Sequence, residues 1–135
     1  MIKRREKTRS RGTAIVEAAV VLPLLLLLTL GAIEYGWLFL KAQQITNAAR
    51  HGARVRVRPA ADDQEALDAV TTLMTAAGIS DYTTTITTAA PEDERPVATV
   101  RIVANTSSLV LIDAPELLPT PATISSEVTM ALEGL

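Results

Sequence analysis

Cysteine is absent from the 135 residues, which excludes disulfides, Cys-ligated zinc and thiol catalysis and leaves the redox compartment open. A single histidine, His51, gives no basis for a His-based metal site or a Ser-His-Asp triad, and no role falls to it. Aromatic residues make up only 3%, so whatever soluble part exists can build only a modest core. No nucleophile–base pair, glycine-rich phosphate loop or metal-ligand spacing stands out, and the chain reads as neither an enzyme nor a cofactor protein. Basic charge is scarce in the distal half. Residues 59–135 carry 2 Lys/Arg and 12 Asp/Glu, a formal −10, whereas residues 1–58 carry 11 and 3, a formal +8. An acidic distal half lacks the basic footprint that nucleic-acid binding requires.

What is present is a long apolar run from Thr13 to Leu40. Its uncharged centre, Ala18 to Ile33, is 16 residues long. That is slightly short of the ~20 needed to cross a bilayer, but the flanks extend the run to roughly 42 Å of helix. A membrane span over about residues 17–40 is expected, with the lipid bilayer as its partner. Glu17 and Glu34 then fall near its opposite edges; a charge at the centre of an inserted helix costs roughly 2.5–3.5 kcal/mol. Glu34, Tyr35 and Trp37 lie where an interfacial anchor belongs, and Glu34 has a polar contact to a partner helix as its alternative. Pro23 removes one helical hydrogen bond and is expected to kink the helix.

Before the run stands a basic stretch, Lys3-Arg4-Arg5-Glu6-Lys7-Thr8-Arg9-Ser10-Arg11, then Gly12. A basic leader, a glycine, four small or apolar residues, a glutamate and a hydrophobic helix form the layout of a prepilin-type N-terminus. Cleavage after Gly12 would make Thr13 the first residue and Glu17 the fifth. Glycine suits such a cut because it is free of side chain and conformationally permissive; a flexible joint is the plainer alternative. For orientation, six Lys/Arg precede the helix and five (Lys41, Arg50, Arg54, Arg56, Arg58) follow it. The tally is nearly tied, but the density of the leader favours a cytoplasmic N-terminus.

Helix-tolerant residues continue to Arg58, and Pro59 marks the end. A helix over 13–58 is roughly 69 Å long. Arg50, Arg54 and Arg58 share one face, read as solvated, with a docking surface for acidic groups as the competing reading; Ile45, Ala48, Ala49 and Gly52 leave a smooth small-residue side. Asp62-Asp63-Gln64-Glu65 resembles a capping box, and Leu67, Val70, Met74 and Ala77 recur at helical spacing before Gly78, giving a short helix over 63–77. Alternation then predicts strands over 82–88, 97–104 and 122–132, joined by a Pro91–Pro96 connection and a proline-rich loop from Pro115 to Pro121. The Glu92-Asp93-Glu94 cluster reads as solvated rather than as a calcium site. The fold class is α+β: a leader (1–12), a long N-terminal helix (13–58), and a small head (59–135) with one short helix and a three- to four-stranded antiparallel sheet. The short helix is expected to pack on the sheet, and a piece beginning near Arg58 to fold by itself.

Residues 11–54 resemble the TadE-like family, minor pseudopilins of the bacterial tight-adherence (Tad/Flp) pilus system. The resemblance is carried by Arg11-Gly12, Val16-Glu17, Leu22-Pro23, Gly31-x-x-Glu34 and Asn47-Ala48-Ala49-Arg50, about a third of the chain. It implies a pilin-like architecture, processing by a membrane prepilin peptidase, and residence in the inner membrane with the head extracytoplasmic or in a short pilus-like assembly. The implied partners are other pilin-like subunits and the inner-membrane assembly platform. Fibre-forming Flp pilins have Glu-Tyr after the cleaved glycine, whereas here Ala18 follows Glu17, which points to a minor subunit. For Glu17 the resemblance implies docking onto a neighbour's free α-amine; the alternative is a glutamate tolerated near the membrane edge. Two other classes compete: a signal-anchored membrane protein with an extracytoplasmic binding head, and a secreted protein with a cleaved signal peptide. The latter lacks a small-x-small site after the apolar run.

Overall fold

A long apolar run followed by helix-tolerant residues produces one helix, α1, from Arg9 to Arg56. This computed structural model describes residues 9–90 and 95–132. The basic residues Lys3 to Lys7 and the Glu92-Asp93-Glu94 cluster lie outside the described residues. Pro23 is accommodated within α1 without ending it. The helix starts four residues earlier than expected and stops at Arg56, so Arg58 lies beyond its end and the Arg50/Arg54/Arg58 stripe is not continuous on one helix.

Helix α2 spans Asp63–Ala76. Asp62 caps its start, its carboxylate accepting from the Glu65 N–H at 2.8 Å. Glu65 does not complete a reciprocal box: its carboxylate pairs with Arg58. At the other end Gly78 takes φ +66°, and the N–H groups of Gly78 and Ile79 donate to the carbonyls of Thr75 and Met74. That is the Schellman arrangement, for which glycine is the unstrained choice. It turns Ile79 inward to join Met74 in the core.

Three strands follow: β1 (Tyr82–Ala89), β2 (Val97–Asn105) and β3 (Thr123–Ala131), in the antiparallel order β1-β2-β3. Register places Val100 opposite both Ile86 and Val128, so the β-branched residues of one face line up across the sheet. Ala98, Val100, Ile102 and Ala104 are fully buried, as the period-two pattern predicts, while Arg101 and Glu127 pair on the outer face. Among the described residues the fold is the expected α+β arrangement with three strands.

The packing differs from expectation in one respect. Helix α2 lies chiefly against α1 rather than directly on the sheet. Gly52 is the reason: a Cβ built there would meet Val70 Cγ2 at 2.5 Å and Val100 Cγ1 at 3.6 Å. The missing side chain lets α2 close on α1, while Val100 of β2 lies at ordinary contact distance. Leu38, Ile45, Ala48, Ala49 and Ala53 of α1 belong to the same core as Val70, Met74, Val100 and Ile102. The distal half of α1 is therefore a structural element of the head, and residues 59 onward hold only part of the core.

Candidate functional site

From Gly12 to Leu30 every residue of α1 is exposed, including Val16, Val20, Leu24 and Leu28. Nineteen residues of bare apolar helix extend roughly 28 Å, close to the ~30 Å of a bilayer's hydrocarbon. By length and composition α1 is able to cross a membrane. Gly12 lies inside the helix with nothing within 4 Å of a Cβ added to it, and Thr13 continues the same turn. Glu17 stands exposed on this segment, with no hydrogen bond or ion pair to any described residue. A carboxylate on a bare apolar helix is costly in hydrocarbon, and no described residue supplies it a partner.

From Gly31 onward one face of α1 is covered. The 17-residue connection between β2 and β3 begins with a short 3₁₀ turn, Thr106–Ser108, and folds back along the helix. Glu34 is fully buried, and its two carboxylate oxygens accept from the N–H groups of Leu111 (3.1 Å) and Ile112 (2.9 Å). Tyr35 donates its hydroxyl to the Pro119 carbonyl, and the Trp37 indole N–H donates to the Leu109 carbonyl at 2.8 Å. Lys41 reaches the Ala77 carbonyl at 2.6 Å, its ammonium 4.7 Å from the Trp37 ring centroid. Gly31 makes room for Leu118, whose Cδ2 sits 3.3 Å from where a Cβ would be.

Residues 31 and 34, three apart on a helix, share a face, and both serve the loop. The Gly-x-x-Glu spacing thus has a local physical account: the glycine admits Leu118, and the glutamate accepts from two backbone donors at the loop's start. Glu34, Tyr35 and Trp37, expected at the membrane edge, are all engaged by this loop. On the opposite face Ile33, Phe39 and Leu40 stay exposed, so apolar surface continues past the point where the loop docks.

The arginines divide. Arg50 and Arg54 are exposed, as is His51. Arg56, which sequence reasoning did not single out, bonds to Asp63, the Ala61 carbonyl and Thr88, tying the end of α1 to α2 and β1. Its signal was the acidic run that follows it at 62–65. Among the described residues no group of three or more His, Asp or Glu side chains is placed to hold a metal ion.

The family model described as TadE-like protein matches residues 12–54, the stretch from Gly12 through the naked helix to the part of α1 that the head packs on. No curated protein and no solved structure gives a match.

Proposed function

We propose that this chain is a minor, pilin-like subunit of a Tad/Flp-type pilus assembly, held in the inner membrane by α1 with its head on the extracytoplasmic side. The observation that carries the reading is Glu17: an exposed carboxylate without a partner among the described residues, five residues after Gly12, on the segment that the TadE-like model matches. A neighbouring subunit's α-amine is a partner of the right charge, and pairing inside an apolar bundle would fix the axial register of one helix against another. An unpaired ion in that setting costs several kcal/mol, so misregistered neighbours are disfavoured.

The reading requires a prepilin peptidase to cut between Gly12 and Thr13. Both residues are helical here, so the reading also requires the first turns of α1 to open for the cut. Cleavage removes 6 Lys/Arg and 1 Glu and leaves 7 basic and 14 acidic side chains, a formal −7. N-terminal sequencing of the protein isolated from its native membranes tests this. Thr13 at the N-terminus is expected, and Gly12→Leu should retain the leader. An intact Met1 in cells with active peptidase contradicts the assignment.

A further inference from the structure

The loop between β2 and β3 turns its polar backbone inward, to Glu34, Tyr35 and Trp37, and leaves leucines outward. Leu111 is 56% exposed and Leu117 is 64% exposed. Ile112, Leu117 and Leu118 form one wall of an open apolar cleft of about 210 Å³. The opposite wall is Pro23, Leu26, Leu27 and Leu30 of α1, which belong to the bare apolar segment. From Glu34, where the loop is held, to Leu27 is seven residues, or roughly 10 Å along the helix axis. That is the depth, about 5–10 Å, at which interfacial apolar segments sit below a membrane surface.

We propose that this loop is a second membrane-contacting element, with Leu111 and Leu117 entering the leaflet on the head's side and a lipid acyl chain filling the cleft against α1. The proposal rests on the membrane-anchored reading of α1. The occupant follows from continuity: the cleft opens off the same helix surface that, in a bilayer, faces hydrocarbon at that level. Both walls are hydrocarbon, so they match a chain and offer nothing to a polar ligand. Asp113 and Glu116 are exposed on the same loop and limit its depth, keeping the turn between the leucines at the headgroup level. The consequence is geometric. A helix alone leaves the head free to tilt and rotate about one axis, whereas a helix plus an inserted loop fixes the head's azimuth relative to the membrane plane.

The absence of cysteine makes a clean test possible. A nitroxide is attached to Leu117→Cys in the full chain, reconstituted at high lipid-to-protein ratio in vesicles of phosphatidylethanolamine and phosphatidylglycerol. Collision with oxygen, which favours hydrocarbon, is compared with collision with an aqueous nickel chelate. Leu24→Cys on the bare helix and Thr85→Cys on the outer face of the sheet serve as references, and Leu111→Cys repeats the test at a second exposed site. The oxygen-to-nickel ratio at 117 is expected to approach that at 24 and to exceed that at 85 several-fold. A water-like ratio at 117 with a lipid-like ratio at 24 overturns the loop proposal and leaves the anchor standing. Shielding of 117 from both reagents means that protein, such as a second copy, fills the cleft, and overturns it too. A water-like ratio at both 117 and 24 overturns the anchored reading and the loop proposal together.

Discussion

The carboxylate of Glu34 accepts from the backbone N–H groups of both Leu111 and Ile112, joining the helix to a loop 77 and 78 residues further along the chain. It is a buried charge satisfied by two donors, and it sits at the level where the naked part of α1 ends and the head begins. A hydrogen bond to a charged group contributes about 1.5–3 kcal/mol, and a buried donor left without a partner costs about 1–3 kcal/mol.

Glu34→Leu therefore frees two loop N–H groups and should release the loop. Hydrogen exchange at Leu111 and Ile112 should accelerate strongly, while β2 amides such as Val100 keep their protection. Glu34→Gln, which retains one acceptor oxygen, should fall between the two. Unchanged exchange at Leu111 and Ile112 in Glu34→Leu would mean that Tyr35 and Trp37 hold the loop without it.

Gly52 sets the approach of α2 to α1. In an open helix Gly→Ala gains about 0.5–1 kcal/mol. Here the added Cβ overlaps Val70 Cγ2 at 2.5 Å, so the sign should reverse. Gly52→Val should destabilise by about 1–3 kcal/mol, the usual range for overpacking. Combining Gly52→Ala with Val70→Ala should cost less than the two singles added, because Val70→Ala removes the atom the new Cβ would strike and the new Cβ partly fills the space Val70→Ala leaves. Denaturant unfolding in detergent measures all four variants. An additive cycle would show that the helices do not meet there.

Truncation separates the two halves of α1. A piece beginning at residue 59 lacks Ile45, Ala48, Ala49 and Ala53 and should fail to fold, giving little ordered signal by circular dichroism. One beginning at Gly31 retains these residues and the Glu34 contact, and should show helix and strand together. A folded 59–132 fragment would mean that the sheet and α2 hold a core without α1.

Much of the head was legible in the sequence because its signals are local. The alternation in Val97–Asn105 predicts the buried face of β2, and Asp62 and Gly78 mark the ends of α2 through capping chemistry that acts within one turn. Two features were not legible. A proline-rich loop has no period, so nothing between Leu109 and Pro121 announces that it folds back on residues 23–37. Gly52 reads only as part of a small-residue side of the helix until Val70 is seen against it, because a close helix crossing depends on a partner distant in sequence. One clue was present: Gly31, Glu34, Leu38, Lys41 and Ile45 follow a helical period, and the carboxylate and ammonium within that stripe mark a face meant to be covered. In the apolar half of α1 the residues are uniform, and there the sequence shows Glu17 only as an exception to its surroundings.

On the proposed function, Glu17 docks one subunit against another. Glu17→Gln keeps the shape and removes the charge, whereas Glu17→Leu removes the polar cost of insertion as well. Crosslinking of α1 to other pilin-like subunits in native membranes, normalised to the amount of processed protein, measures the contact directly. Docking predicts that both variants insert and are cleaved as wild type, that both lose the crosslink, and that Glu17→Leu does no better than Glu17→Gln. Crosslinking equal to wild type in both variants would contradict it, and Glu17 would then be a tolerated charge near the membrane edge.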